Sequence, residues 1–244
     1  MSTYILWDVD GTLVQNGKDA GNLYHGAVEL ALGASIADRL PNTHGKTDGQ
    51  IIRETLEAHG IDAGLHESAL GHLDELSRLR HVAGNHRLPC SGALHAVAAV
   101  AALGLPNGLL TGNSAARARY KVTGAGFDPE SFDWRHSYFG ERSPLRTDLT
   151  LRARSELGDA RVVIIGDTPN DGLAADSAGI PFIAVATGIY SVEQLRATSA
   201  RVVVEDLASG LDPVIDAIDA LATVAATEAG LEEFGELPDV EVAP

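Results

Sequence analysis

Five short apolar runs, alternating with segments long enough for helices, constrain the fold of this chain most strongly. Continuous apolar runs of this length are typical of strands that are buried on both faces of a parallel sheet. The runs cover residues 4–7, 108–110, 162–165, 182–185 and 202–204. Their alternation with helical segments predicts an α/β fold with a doubly wound, Rossmann-like parallel sheet.

One long stretch breaks this alternation. Between about Val14 and Arg87 the apolar residues follow helical spacing and no convincing strand is present. We therefore predict a core domain formed by residues 1–14 and 88–222, with an α-helical module inserted at residues 15–87. Residues 223–244 are acidic and contain no basic residue, which predicts a solvated, flexible tail that could include one short helix.

Charge and cysteine content exclude several classes of function. The chain has 34 acidic and 18 basic residues and a net charge of -16, which disfavours binding to nucleic acid or to anionic lipid. No apolar run is long enough to span a bilayer, and the first residues do not resemble a signal peptide. A single cysteine, Cys90, cannot form a disulfide within the chain. We expect a cytoplasmic protein with no membrane partner, and the sequence does not indicate its oligomeric state.

Polar residues follow three of the predicted strands at the point where each strand ends. They are Asp8 and Asp10 after the first run, Thr111-Gly112-Asn113 after the second, and Asp167 and Asp171 after the third. Ligands of open α/β sheets bind at the carboxyl ends of the strands, so these side chains should face one crevice. Carboxylates packed together repel one another, and a hard cation such as Mg²⁺ would remove that repulsion. One carboxylate could then attack phosphorus while a second moves a proton.

The order and separation of these elements resemble the haloacid dehalogenase (HAD) superfamily. The matching elements are Asp8-Val9-Asp10-Gly11-Thr12-Leu13, Thr111-Gly112-Asn113 and Gly166-Asp167-Thr168-Pro169-Asn170-Asp171, and the resemblance spans about residues 4 to 205. The helical insert is similar to the α-helical cap of the phosphoglycolate phosphatase and β-phosphoglucomutase branch. The resemblance thus implies a HAD core with a helical cap.

The resemblance also implies a role for each matching residue. Asp8 would be the nucleophile that forms an aspartyl-phosphate, and Asp10 would act first as the general acid and then as the general base. Phosphoryl oxygens would be held by the Thr111 hydroxyl and by the backbone amides of Gly112 and Asn113.

Magnesium ligands follow from the same resemblance. Asp167 would ligate Mg²⁺ together with Asp8 and the Asp10 carbonyl. Asp171 would support the metal directly or through water.

The third motif departs from the family pattern because the usual lysine followed by proline is absent. Arg146 lies about where the family's cation is found, and Arg142 is the competing candidate. Either arginine would keep its charge and could bridge two oxygens. In the insert, Lys46 is a further candidate for contact with the substrate's phosphate or leaving group, with a plain loop at the start of a helix as the alternative.

These features predict a magnesium-dependent phosphatase that hydrolyses a small phosphorylated metabolite through a phospho-aspartate intermediate. A sugar phosphomutase of the same family is the first alternative, because the sequence does not distinguish the two reactions. A non-catalytic HAD-fold protein that binds or regulates a partner is the second.

Overall fold

The sheet is built around β1 (Thr3–Trp7), which pairs with a strand on each side. In the computed structural model, which describes residues 3–17, 20–37 and 41–232, Trp7 lies opposite Leu109 on one neighbour and Ile165 on the other. The remaining strands are β2 (Asn107–Thr111), β3 (Tyr138–Phe139), β4 (Arg161–Gly166), β5 (Phe182–Val185) and β6 (Val202–Val204). All pairs are parallel and the order is β3-β2-β1-β4-β5-β6. This confirms the predicted α/β fold with a doubly wound sheet.

Strand order reverses at β1, because the chain runs outward through β2 and β3 on one side and through β4 to β6 on the other. A crevice forms at the carboxyl end of the sheet at such a switch point. The fold therefore brings the residues that follow β1, β2 and β4 to one place.

Helices cover both faces of the sheet. They are α4 (Ala93–Ala102), α5 (Ala115–Gly124), α6 (Arg146–Leu157), α7 (Pro169–Ser177), α8 (Val192–Arg196) and α9 (Leu211–Glu232). Side chains alternate along β1, so Ile5 and Trp7 pack against α4, α5 and α9, whereas Leu6 packs against α6, α7 and α8. None of the described helices is long and apolar enough to cross a membrane.

The last helix, α9, extends into the predicted tail. Residues 223–232 continue α9, and this stretch is rich in alanine, the best helix former. Residues 233–244, the rest of the predicted tail, lie outside the described residues.

Three helices of the insert pack around an apolar cluster of their own. They are α1 (Ala20–Leu32), α2 (Asp48–Ala58) and α3 (His66–Val82), and the cluster includes Val28, Ile52 and Leu73. The division into a core of 1–14 and 88–222 and a cap of 15–87 stays a prediction, and we call residues 15–87 the cap below.

The two chain connections between the cap and the sheet run side by side. Gln15 donates its backbone N–H to the Leu88 carbonyl at 3.0 Å, and Cys90 donates to the Leu13 carbonyl at 2.9 Å. Val14 and Pro89 form an antiparallel bridge between these bonds. Both crossings are thereby fixed to each other.

A buried ion pair joins the cap to α5. Asp48, the first residue of α2, contacts the Arg117 guanidinium, and both side chains are 2% exposed. Tyr24 donates its hydroxyl to Asp48 Oδ1 at 2.7 Å, and the Ser114 backbone N–H donates to Asp48 Oδ2 at 2.8 Å. Arg117 also donates from Nε to Ser77 Oγ at 3.0 Å. These charges are satisfied only while the cap and α5 remain in contact.

Removing one member of this pair should destabilise the fold strongly. Arg117→Met leaves Asp48 as a buried, unpaired charge, and we expect the free energy of unfolding to fall by about 3–5 kcal/mol in urea denaturation. Arg119→Met is the matched control, because Arg119 is exposed on the same helix and stacks on Trp134, so it should cost less than about 1 kcal/mol. Equal losses in the two variants would contradict this account.

Candidate active site

The residues that follow β1, β2 and β4 line one cavity between the sheet and the cap. Its volume is about 70 Å³. Of the residues identified from the sequence, those that line it are Asp8, Asp10, Lys46, Thr111, Gly112, Asn113, Arg146 and Asp167. Asp171 lies directly behind them, within reach of Asp8 and Asp167.

A tight turn after β1 places the first two carboxylates. Asp8 continues the strand pairing by donating its backbone N–H to the Ile165 carbonyl at 2.9 Å, and Gly11 then turns the chain at a φ of +85°. A Cβ atom on Gly11 would also lie 2.2 Å from Asp167 Oδ2. Only glycine meets both requirements, the left-handed backbone and the close approach of Asp167.

Asp8, Asp167 and Asp171 form a compact group of buried carboxylates. One oxygen of each lies within 4.8 Å of the others, and all three side chains are almost completely buried. Burial, together with the Asp171 carboxylate, raises the pKa of Asp8 to about 6 against the lowering effect of Arg146. Burial, Asp8 and Asp171 also raise the pKa of Asp167 well above its ordinary value. The group is therefore held together against its own repulsion.

Neighbouring donors orient these carboxylates. Thr12 donates its hydroxyl to Asp167 Oδ1 at 3.2 Å. Asp171 Oδ2 accepts from the Thr168 backbone N–H at 2.9 Å and from the Thr168 hydroxyl at 2.7 Å, which forms a capping box at the start of α7.

Arg146 is the cation inside this group. Its Nη2 lies 2.8 Å from Asp8 Oδ1 and 2.5 Å from Asp171 Oδ1, and it donates to the Leu110 carbonyl at 3.1 Å. Arg142, the competing candidate, is an exposed residue whose guanidinium lies 3.6 Å from Glu67. The structure thus places Arg146, and not Arg142, beside Asp8.

The Asp10 carboxylate points away from the three-carboxylate group. Its Oδ1 lies 3.2 Å from Arg87 Nη1, and its Oδ2 lies 2.5 Å from Lys121 Nζ and accepts from Asn113 Nδ2 at 2.7 Å. Lys121 also donates to Asn113 Oδ1 at 2.6 Å. Two cations and one amide therefore surround a single carboxylate.

These contacts set the charge state on both sides. Burial raises the pKa of Asp10, but the attraction of Lys121 and Arg87 outweighs it, so this pKa lies below its ordinary value. Burial lowers the pKa of Lys121 to about 8, against the raising effect of Asp10. Asp10 is accordingly a carboxylate.

Arg87 and Lys121 were not among the site residues predicted from the sequence. Lys121 lies four residues after Arg117 on α5, so the two share a helical face that points at the cavity, and this spacing was an available signal. Arg87 belongs to the connection between α3 and α4, where no periodic pattern indicates which way a side chain points.

Lys46 lines the cavity but is paired with a carboxylate of the cap. Its Nζ lies 2.5 Å from Glu54 Oε2. The loop that carries Lys46 contacts the core closely. Asp48 donates its backbone N–H to the Gly112 carbonyl at 2.7 Å. A Cβ atom on Gly112 would lie 2.1 Å from the Lys46 carbonyl oxygen. Glycine at position 112 is therefore required for the contact between cap and core.

The arrangement suits phosphoryl chemistry. Asp8, Asp167 and Asp171 offer the all-oxygen, negatively charged ligand set that a hard divalent cation prefers, and their mutual repulsion would be relieved by it. Beside that set the cavity holds buried donors that can bind an anion, the Arg146 guanidinium and the Thr111 hydroxyl.

Two sequence comparisons find proteins to which the chain is similar. A family model described as HAD-hydrolase-like matches residues 145–209. The phosphoglycolate phosphatase of Rhodospirillum rubrum is 28% identical over 219 residues, which cover 86% of this chain and 89% of that protein.

Solved structures share the fold. CbbY from Rhodobacter sphaeroides in complex with phosphate superposes with a TM-score of 0.63 at 20% identity, over 86% of this chain and 96% of that one. A protein described as a β-phosphoglucomutase from Thermotoga maritima gives a TM-score of 0.55 at 20% identity, over 88% and 100% of the two chains. The chain thus shares its fold with haloacid dehalogenase-like proteins, its residues 145–209 match the HAD-hydrolase-like family model, and over most of its length it is similar to a phosphoglycolate phosphatase.

Proposed function

We propose that the chain is a magnesium-dependent phosphatase that hydrolyses a small phosphomonoester through a phospho-aspartate formed on Asp8. The observation that carries this proposal is the meeting of Asp8, Asp167, Asp171 and Arg146 in one buried group at the carboxyl end of the sheet. Similarity to a phosphoglycolate phosphatase supports the class of reaction.

Asp8 is the proposed nucleophile. One of its oxygens is bound by Arg146 at 2.8 Å, which leaves the other to attack phosphorus and form the acyl-phosphate bond as the ester oxygen departs. The Arg146 guanidinium can then bind both Asp8 and a phosphoryl oxygen and stabilise the charge that develops in the transition state.

Asp10 is the proposed acid and base. In its protonated form it would give its proton to the departing alkoxide, and as a carboxylate it would take a proton from the water that hydrolyses the phospho-aspartate. The form held by Lys121 and Arg87 is the carboxylate, the one required for the second step. The two steps together convert one ester and one water into an alcohol and inorganic phosphate.

Three neighbouring residues are proposed to hold the phosphoryl group. Thr111 accepts a hydrogen bond from Asn113 Nδ2 at 2.8 Å, so its own hydroxyl hydrogen can be donated to a phosphoryl oxygen. The backbone amides of Gly112 and Asn113 lie beside it at the end of β2. Lys46, once released from Glu54, would reach the phosphate or the leaving group from the cap.

Asp8, Asp167 and the Asp10 carbonyl are the proposed ligands of Mg²⁺, with Asp171 in support. When bound, Mg²⁺ supplies the positive charge that screens the carboxylates from the incoming phosphate and polarises the phosphoryl group. The loop that leads into α2 lines the cavity and would shield the phospho-aspartate from bulk water.

Phosphate release from a panel of phosphorylated metabolites, with Mg²⁺ and with chelator, tests the reaction. We expect Mg²⁺-dependent release that Asp8→Asn lowers at least about a thousandfold, because the amide cannot act as the nucleophile. Asp159→Asn, which changes an exposed carboxylate, is the matched control and should keep wild-type turnover. Turnover by Asp8→Asn at the wild-type rate would overturn the proposed mechanism.

A phosphomutase is the second candidate, because a protein described as a β-phosphoglucomutase is among those that share the fold. It would return the phosphoryl group from Asp8 to another hydroxyl of the same sugar instead of to water. Sugar-phosphate isomerisation that is faster than phosphate release would favour this reaction over hydrolysis.

Arg146 and Arg142 should differ sharply in the same assay. Arg146→Ala removes the cation bound to Asp8, and we expect kcat/KM to fall by at least about a hundredfold. Arg142→Ala changes an exposed residue and should leave kcat/KM near the wild-type value. A larger loss of kcat/KM in Arg142→Ala than in Arg146→Ala would identify Arg142 as the cation of the third motif.

Asp167→Asn should have two separable effects, a gain in stability without metal and a loss of the response to Mg²⁺. In chelator this variant relieves the repulsion with Asp8 and Asp171, so we expect the free energy of unfolding to rise by about 0.5–2 kcal/mol. Mg²⁺ should raise the melting temperature of the wild type and raise that of Asp167→Asn much less.

Asp176→Asn, on the exposed side of α7, controls for the loss of a charge. It should respond to Mg²⁺ as the wild type does. A full Mg²⁺ response in Asp167→Asn would count against Asp167 as a ligand.

A further inference from the structure

The end of the cavity beyond Asp10 carries more positive than negative charge. Each other cation of the cavity wall has a carboxylate to itself: Lys46 pairs with Glu54, Arg117 with Asp48, and Arg146 with both Asp8 and Asp171. In contrast, Arg87 and Lys121 share the Asp10 carboxylate within the described part of the chain. This end of the cavity therefore attracts a further anion.

The backbone makes room for this pair of cations. The first connection to the cap passes directly over the Arg87 guanidinium, and a Cβ atom on Gly17 would lie 2.6 Å from its Cζ atom. Asn113 holds Lys121 from the other side, through the 2.6 Å bond to its Oδ1. The two head groups are thus fixed in position by the core and by the connection.

Space for an anion exists next to the pair. Arg87 and Lys121 are 20% and 17% exposed, and they line both the active-site cavity and an adjoining cavity of about 50 Å³. Each can therefore donate to a group in the cavity in addition to Asp10, since a guanidinium has five N–H donors and an ammonium has three.

We propose that Arg87 and Lys121 form a subsite for a second anionic group on the leaving portion of the substrate. This inference rests on the proposed phosphatase function. Asp10, the proposed proton donor to the ester oxygen, lies 2.5 Å from Lys121 and 3.2 Å from Arg87, so the second anion must be only a few bonds from that oxygen. The preferred substrates are short phosphomonoesters that carry a carboxylate or a second phosphate.

A matched pair of esters isolates this subsite. Phosphoglycolate and ethyl phosphate have the same chain length and differ in whether the chain ends in a carboxylate or a methyl group. The wild type should show at least about tenfold higher kcat/KM for phosphoglycolate, because hydrogen bonds to charged groups discriminate by this order. A third ester, 1,2-ethanediol bisphosphate, shows whether a carboxylate or a phosphate is the better second anion.

The variants are judged by the ratio of kcat/KM between the two esters. Arg87→Gln and Lys121→Gln also disturb Asp10, but that effect acts on both esters and cancels in the ratio. We expect each substitution to lower the ratio and the double variant to bring it toward one. Arg119→Gln, which removes an exposed charge from the same helix as Lys121, should leave the ratio unchanged.

Charge-conserving variants guard against a purely structural effect. Arg87→Lys and Lys121→Arg should retain most of the preference, because the positive charge is kept. A ratio that is near one in the wild type, or that survives in the double variant, would overturn the subsite.

Binding separates the failure of this subsite from the failure of the phosphatase. Isothermal titration of Asp8→Asn with each ester in Mg²⁺ requires no turnover, and the subsite predicts tighter binding of phosphoglycolate than of ethyl phosphate. Tighter binding without wild-type turnover of any ester would uphold the subsite and reject the phosphatase. Equal turnover and equal binding of both esters would uphold the phosphatase and reject the subsite.

Discussion

Repulsion among three buried carboxylates is the constraint on which the rest of the structure depends. Asp8, Asp167 and Asp171 converge because β1 and β4 are neighbours in a parallel sheet, and Arg146 is the cation that lies among them. The start of α6 must accordingly be fixed in the core, even though a cation at the amino end of a helix is disfavoured by the helix dipole. Burial of these charges lowers the stability of this edge of the sheet. Such a loss is common at sites whose chemistry would require charged groups.

The cap is fixed to this edge by polar contacts as well as by apolar packing. Asp48 and Arg117 bury opposite charges at the junction, and close backbone contacts at Gly112 leave no room for a side chain. Buried pairs of this kind contribute little net stability but penalise every arrangement that separates them. They therefore favour the arrangement in which Asp48 and Arg117 are in contact over every arrangement that separates them.

The sequence predicts the residues that are placed by the strands of the sheet better than those whose direction depends on tertiary contacts. The long strands were predictable because burial on both faces produces continuous apolar runs, whereas β3, with only two residues, leaves no such pattern. Convergence of Asp8 and Asp167 follows from parallel strands alone. The choice between Arg146 and Arg142 depends on where α6 begins, which the sequence fixes only to within a few residues. Arg87 was not predictable, because its direction is set by tertiary contacts.

The paired connections at Val14 and Pro89 form a short hinge between the cap and the core. Two hydrogen-bonded crossings resist twisting and sliding more than bending, so any movement of the cap relative to the core would be a rotation about them. Arg87 lies two residues from this hinge and on the cap side of it. A rotation that carried the cap away from the core would therefore also carry Arg87 away from Asp10 and leave Lys121 as the cation paired with that carboxylate.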